Sequence, residues 1–416
     1  MRKEDYFLLN PWWEGKLVET GVRRDKYLAG FRDELARRQI EFLVGGRRVG
    51  KTVILKQMVE ELLENGVLAE DILYVACDFS RALGMTIGDH LRNFRQIFNH
   101  KIGKKLYIFL DEVQEIGEWQ GELKSIYDSE DVKIFASGST SALIMKHGGK
   151  LTGRQVSTMI YPLDFEEFVR FRRTKITESE TYLWENEIKN YLEIGGYPEN
   201  VLKPSIEYLS ALLDDVLARD LLRLYPVKNF SLVRDLYKLV AGGMGTRVSY
   251  NRLAKILGVS LETVKDYVGY FEEVFLIKKL ERWTMSPNER VYSAKKIYLA
   301  DNGMKTLSTG IEDWGAKAEN AVFWQLVREK KEIGYFNEGD REVDFVAQDG
   351  RGWCPIEVKF VGDEVEIEPK LKGLKRFGVL HGEIKRAVVV TESVDETINL
   401  GKMEVELVPL WRFLRG

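Results

Sequence analysis

Eight consecutive residues carry the most chemistry in this 416-residue chain: Gly45, Gly46, Arg47, Arg48, Val49, Gly50, Lys51 and Thr52. A glycine, four residues and then Gly-Lys-Thr is the pattern of a loop that wraps a polyphosphate. Gly45 and Gly50 permit the tight turn, while loop N–H groups and the positive end of the next helix attract the phosphates. Lys51 is placed to reach the β- and γ-phosphates, and the Thr52 hydroxyl to ligate the magnesium that travels with them. Gly45 to Val53 is therefore the candidate nucleotide-binding set. Arg47 and Arg48 either add positive field there or are solvated. A chance match in a glycine turn would lack flanking elements. Here an apolar run, Ile40 to Val44, precedes the loop, and apolar residues at helical spacing, Val53 to Leu63, follow it.

Phosphoryl transfer also needs carboxylates beside the loop. The apolar run Leu106 to Leu110 ends in Asp111 and Glu112. Asp111 would hold magnesium, directly or through water, and Glu112 would polarise the attacking water as general base. The next apolar run, Val132 to Ala136, leads into Ser137, Gly138, Ser139 and Thr140. A hydroxyl there suits contact with the γ-phosphate or the water; Ser139 is the first choice and Thr140 the second, with a plain turn cap as the alternative. Arg154, just before the run Val156 to Ile160, would stabilise transition-state charge in cis or across a subunit interface.

A second constellation lies near the C-terminus. Asp344 sits in Glu342 to Val346, and Glu357 and Lys359 sit in Pro355 to Lys359, with Gly350 and Gly352 between. Two strands joined by that turn would bring Asp344 near Glu357, with Glu357 and Lys359 on one face. Glu319, on a preceding helix over 316–328, is a further acid. Two carboxylates and a lysine can bind magnesium and orient water for phosphodiester hydrolysis. Alternating charges on a strand also describe an exposed face, so both readings stand.

The elements that must position these residues follow from the apolar runs. Ile40 to Val44, Ile72 to Cys77, Leu106 to Leu110, Val132 to Ala136 and Val156 to Ile160 alternate with helical segments, as in a doubly covered parallel sheet. An amphipathic helix is expected over 25–38. The cluster Asn10-Pro11-Trp12-Trp13-Glu14 reads as an arm packed on this core in preference to a partner-binding surface. From Phe165 the pattern turns helical, with a long helix over 205–224 and a turn at Gly195-Gly196-Tyr197-Pro198. Tyr250 to Leu257, the turn Gly258 to Ser260, and Leu261 to Phe271 make a helix-turn-helix signature. Val274 to Ile277 and Lys296 to Leu299 would be wing strands. The second helix carries Glu262, Lys265, Asp266, Glu272 and Glu273, a poor surface for phosphates, so a scaffold or interaction role is preferred to groove reading.

Length calls for two or three domains. With 62 basic and 65 acidic residues the net charge is −3, so no global field favours nucleic acid or membrane. Cys77 and Cys354 lie in separate apolar runs, as buried thiols of a reducing compartment do. No apolar run reaches the roughly 18 residues of a membrane helix, and a cytoplasmic location is expected. Charged residues at 31% lean toward a thermophilic source.

The motifs above, with Leu151 to Arg154, Pro162 to Phe165, Gly195 to Pro198, Tyr298 to Gly303, Glu319-Asn320, Glu342 to Phe345 and Ile356 to Lys359, resemble a prokaryotic, especially archaeal, family of AAA-superfamily ATPases with a C-terminal domain of unknown function. The resemblance implies an α/β fold in four segments: a P-loop AAA-type ATPase core over 1–162, a helical lid over 163–228, a winged helix over 229–290, and over 291–416 a domain similar to the PD-(D/E)xK nuclease fold. Glu319, Asp344, Glu357 and Lys359 would be its nuclease-like set. ATP and Mg2+ are the implied cofactors. The expected function is magnesium-dependent ATP hydrolysis controlling a C-terminal domain that acts on DNA; the alternative is an NTP-driven switch acting on protein partners, with an inert C-terminal domain. Homo-oligomerisation is compatible with either, and no membrane partner is expected.

Overall fold

The structure is a computed structural model that describes residues 1–416 except 17–19, 83, 140–147, 178, 226, 228, 311–312 and 364–366. Two compact units, Met1–Tyr161 and Pro162–Gly416, divide the chain.

The first unit is built on five parallel strands: β1 (Ile40–Val44), β2 (Ile72–Ala76), β3 (Leu106–Asp111), β4 (Val132–Gly138) and β5 (Gln155–Met159), in the order β2-β3-β4-β1-β5. Every residue of β1 and β4 is buried, as expected for strands covered on both faces. Because β3, β4 and β1 are parallel neighbours, Asp111, Gly138 and Gly45 emerge at the same edge; the Gly45 N–H lies 3.4 Å from the Gly138 carbonyl. Helix α1 (Lys51–Glu64) starts directly after Gly50, whose left-handed φ of +99° closes the loop. It buries Ile54, Leu55, Met58, Val59 and Leu62, each worth about 1.5–3 kcal/mol.

The expected helix over 25–38 forms as two short pieces, Asp25–Leu28 and Phe31–Ala36, because Gly30 interrupts it. The tryptophan arm packs on the core. Asn10 exchanges bonds with the backbone of Tyr74 at 2.7 and 3.0 Å, and the Trp13 indole donates to Ile72 at 2.9 Å, so the arm covers the free edge of β2.

The second unit begins with helices α2 (Phe165–Phe171), α3 (Thr181–Ile194) and α4 (Ile206–Asp215), the last continuing through a π-turn, Val216–Leu221, to Leu224. Next come α5 (Phe230–Gly242), α6 (Tyr250–Leu257) and α7 (Leu261–Glu273), with Gly258 and Ser260 capping α6 and α7. Strands β6 (Ile277–Leu280) and β7 (Lys296–Leu299) pair antiparallel. The first of them starts later than its apolar run predicts, because Val274 to Leu276 form the turn leaving α7, with Phe275 at φ +60°. Since β7 pairs with β6, the ribbon straddles residue 290, where the sequence suggested a boundary. Helices α8 (Asn302–Thr309) and α9 (Trp314–Arg328) lead into a six-stranded sheet. Its strands are β8 (Ile333–Glu338), β9 (Arg341–Asp349), β10 (Gly352–Lys359), β11 (Arg386–Thr391), β12 (Glu396–Leu400) and β13 (Met403–Pro409), ordered β12-β13-β11-β10-β9-β8. Helix α10 (Lys372–Leu380) seals one face through Leu374 and Phe377 over Val343, Val389, Val405 and Leu407. Both cysteines are buried free thiols, and burial pushes Cys354 up to about 11.

Candidate nucleotide site and C-terminal carboxylate cluster

The loop after β1 has room for no side chain at its first glycine: a Cβ on Gly45 would stand 2.1 Å from the Ile160 carbonyl oxygen. Lys51 is buried and donates to the Gly45 and Gly46 carbonyls at 3.0 and 2.9 Å. Its ammonium also lies 3.3 Å from Glu112 Oε1, which ties the loop to the end of β3. Beneath the loop the buried Arg24 donates to the Val49 carbonyl at 2.8 Å and to that of Tyr161 at 3.2 Å, while Gln57 of α1 accepts the Arg24 N–H. Arg24 was not singled out from sequence; an arginine just before a short helix carries no local signal for this position. Arg48 is exposed, Arg47 half-buried, and Val53 sits on the open face of α1.

Asp111 accepts from the Thr52 hydroxyl at 2.6 Å, from the Tyr74 phenol at 2.8 Å, and from Ser137. Glu112 takes a left-handed conformation, φ +53°, and its N–H donates to Ser137 Oγ at 2.8 Å. That turn sends its carboxylate toward Lys51 while Asp111 faces Thr52. Gln114 bridges Glu112 and Ser139, at 2.5 and 3.3 Å. Burial would push the Glu112 carboxyl up; Lys51, the Gln114 and Ser139 hydrogen bonds, and Arg47 outweigh it and hold the group below its usual value. Glu112 is thus ionised at neutral pH, as a general base must be. Tyr74, Ser137 and Gln114 were not assigned roles from sequence. Thr140 lies outside the described residues.

The oxygens of Thr52 and Asp111 are hard ligands at contact distance, a pair that fits Mg2+ completed by phosphate and water. Bound there, the ion would neutralise charge on the β- and γ-phosphates.

Arg154 does not join this site within the chain. Ile40, the first residue of β1, pairs with Gln155, and the Ile40 N–H donates to the Arg154 carbonyl at 2.8 Å. Arg154 therefore stands at the edge of the sheet opposite the loop, separated by the length of β1, roughly 15 Å. Its guanidinium is engaged by Asp128 at 2.9 and 3.2 Å. The expectation of a cis contact with the γ-phosphate is corrected: position just before a parallel strand puts a residue at the wrong end.

In the second unit β9 and β10 form the expected hairpin, with Phe345 opposite Ile356. Asp344 Oδ2 accepts from the Val358 N–H at 2.9 Å. Lys359 lies 3.1 Å from Glu357 and 3.8 Å from Asp344, and Glu319 of α9 reaches the same cluster. The four sequence-selected residues converge, yet they are joined by three others. Lys296 of β7, 1% exposed, places its ammonium 2.8 Å from Glu342, 3.1 Å from Glu319 and 3.4 Å from Asp344. Tyr298 donates to Glu319 at 2.7 Å. Lys296 and Tyr298 are two apart on one strand face, a findable signal whose partners sequence could not name. Burial, aided by the Asp344 charge, drives Glu319 up against the pull of Lys296; burial likewise raises Glu357 against Lys359. Asp344 goes the other way, because Lys296, Lys359 and the Val358 N–H outweigh its burial. Among the described residues no group of three or more His, Cys, Asp or Glu is arranged to hold a metal ion.

Other resembling motifs are structural. Buried Asp301 accepts from the Gly196 and Gly303 N–H groups, the latter at 2.8 Å, and Asn320 donates to Asn302 at 3.0 Å. A Cβ on Gly195 would stand 1.9 Å from Asp301 Oδ1. The GGYP, ADNG and EN segments thus form one buried polar knot joining α3, α8 and α9, and burial pushes the Asp301 carboxyl up to about 6.

Residues 37–169 match the family described as AAA domain. That match, together with the five-stranded parallel sheet and its loop, supports an AAA-type P-loop fold in the first unit, with nucleotide binding and hydrolysis. Residues 185–314 and 314–413 match two families, each described as a domain of unknown function (DUF8612 and DUF4143). An uncharacterized protein of Haemophilus influenzae is 26% identical over 337 residues, covering 77% of this chain and 82% of its own. Another, of Methanocaldococcus jannaschii, is 26% identical over 401 residues, covering 90% and 88%. Among solved structures, AMPPCP-bound DnaA from Aquifex aeolicus is 18% identical, covering 64% of this chain and 92% of its own, with a TM-score of 0.29. A Thermotoga maritima RuvB is 13% identical, covering 66% and 92%, with a TM-score of 0.32. Likenesses at that level leave the assignment on the sheet, the loop and the AAA match. No helix among the described residues is long and apolar enough to cross a membrane.

Proposed function

We propose that the first unit binds ATP with Mg2+ and hydrolyses it, and that nucleotide state controls the second unit, a winged helix followed by a nuclease-like domain acting on DNA. The observation that carries the ATPase half is the pairing of Thr52 with Asp111 beside that of Lys51 with Glu112. Residues Gly45 to Val53 hold the phosphates, Thr52 and Asp111 take the metal, Glu112 activates water, and Ser139 with Gln114 positions Glu112. Arg154 contributes to hydrolysis only from a neighbouring subunit.

A second reading is favoured by one observation, the Lys296 ammonium inside the C-terminal carboxylates. It is an ATP-driven switch that acts on protein partners, with the second unit catalytically inert. Hydrolysis of ATP by the wild type and by Glu112→Gln, with and without single- and double-stranded DNA, separates them. Activity stimulated by DNA and lost in the variant supports the first reading. Activity indifferent to DNA supports the second, and wild-type levels in Glu112→Gln would remove the role given to Glu112.

A further inference from the structure

We infer that the ammonium of Lys296 is the resident cation of the C-terminal carboxylate cluster: it fills the space between Glu319, Glu342 and Asp344, and these carboxylates take up metal only when Lys296 is withdrawn or replaced. It bears on the same cluster as the nuclease-like reading, and its test separates the two.

Three carboxylates, Glu342, Glu319 and Asp344, surround this one ammonium at 2.8, 3.1 and 3.4 Å. A magnesium ion in that space would need its oxygens at about 2.0–2.1 Å, and around the ammonium these carboxylates are not arranged to hold one. An ammonium and a dication cannot share that space, and at such separations in a poorly solvated site their repulsion is strong. The site is also closed around the lysine. Its side chain is 1% exposed, Tyr298 caps Glu319, and Gly245 leaves only 3.2 Å between an added Cβ and Glu319 Oε2. Lys359 faces Glu357 and Asp344 from β10, so the cluster holds two ammoniums.

Lys296 does not belong to the sheet that carries Asp344 and Glu357. It opens β7, opposite Leu280 of β6, in the ribbon that follows α7. Freeing the metal position therefore requires the β6–β7 ribbon to shift or the side chain to change rotamer.

The test counts Mn2+ bound to the full chain by electron paramagnetic resonance. Nucleotide is omitted, and Thr52→Ala removes one of the two metal ligands assigned in the first unit. The chain with Lys296 intact is expected to show no manganese that depends on Asp344. Lys296→Met and Lys296→Gln are each expected to gain one site at least about tenfold tighter, lost again on adding Asp344→Asn. Lys296→Arg should gain none. If Lys296→Met folds only when Mn2+ is added, that is the same result read as stability; failure to recover with Mn2+ in both neutral variants overturns the inference. So does an Asp344-dependent manganese site in the Lys296-intact chain, or folded neutral variants that bind nothing. A neutral variant that binds manganese without cutting DNA keeps the inference and sinks the nuclease reading. DNA cleavage by the Lys296-intact chain that disappears with Asp344→Asn does the reverse.

Discussion

The Thr52 hydroxyl and Asp111 Oδ2 lie 2.6 Å apart although 59 positions separate them, because β1 and β3 end at the same edge of one parallel sheet. That contact brings the loop's metal ligand to the acid. Thr52→Val or Asp111→Asn should therefore lower hydrolysis by about a hundredfold or more at saturating Mg2+, while metal-free nucleotide binding changes little. Magnesium titrations of turnover, with fluorescent-nucleotide binding in EDTA, check it; an unchanged magnesium midpoint in both variants would refute the assignment.

Glu112 and Gln114 should separate in kind. Glu112→Gln is expected to lower kcat by about 10²–10⁴ with nucleotide binding retained. Gln114→Ala, which removes only the bridge to Ser139, should cost roughly tenfold and raise the apparent pKa of the rate profile, since Gln114 helps hold Glu112 below its usual value. A pH profile unmoved in Gln114→Ala would show that Gln114 positions nothing.

Because Arg154 stands at the far edge of the sheet, Arg154→Ala should leave hydrolysis within about twofold under dilution to the isolated chain. Its ion pair with Asp128 is partly exposed and contributes at most about 1 kcal/mol. Any loss of turnover should appear only at concentrations where subunits associate. A tenfold loss at every concentration would contradict its placement.

Gly195→Ala should destabilise the second unit by about 2 kcal/mol or more. Gly195 combines φ +81° with a Cβ position 1.9 Å from Asp301 Oδ1. Gly258→Ala is the matched comparison: its φ is +66° but nothing lies within 4 Å, so about 1 kcal/mol is expected. Denaturant midpoints that coincide would show the knot to be slack.

Buried His90 is bonded to the Tyr6 hydroxyl at 2.7 Å, and desolvation lowers its pKa from 6.5 to about 4. Between those values the unfolded chain binds a proton that the folded one refuses, so stability rises with pH across the window and is lost as pH falls toward 4. The contribution reaches about 3 kcal/mol. His90→Gln should flatten this part of the profile, and identical slopes between pH 4 and 6.5 would disprove it.

Much of this protein was legible in its sequence. The apolar runs that became β1 to β4 were readable because strands buried on both faces leave little polar sequence inside them, whereas β5 is a half-exposed edge strand, Gln155–Met159, that starts one residue before its apolar run. Gly45 to Thr52 was readable because one local turn sets its chemistry. The Asp344 to Lys359 hairpin was readable because a glycine turn fixes its register. In each case the determinants lie within a few residues of one another. Tertiary structure alone decided what depends on strand order and direction. It set Arg154 at the wrong edge of the sheet, put Arg24 under the loop, and gave Gln114 to Glu112. It also turned Gly195, Asp301 and Asn320 into a packing knot. Above all it brought Lys296, from a ribbon outside the sheet, among Glu319, Glu342 and Asp344. A charge's partner is chosen by which backbone passes within 4 Å of it, and no local pattern records that distance.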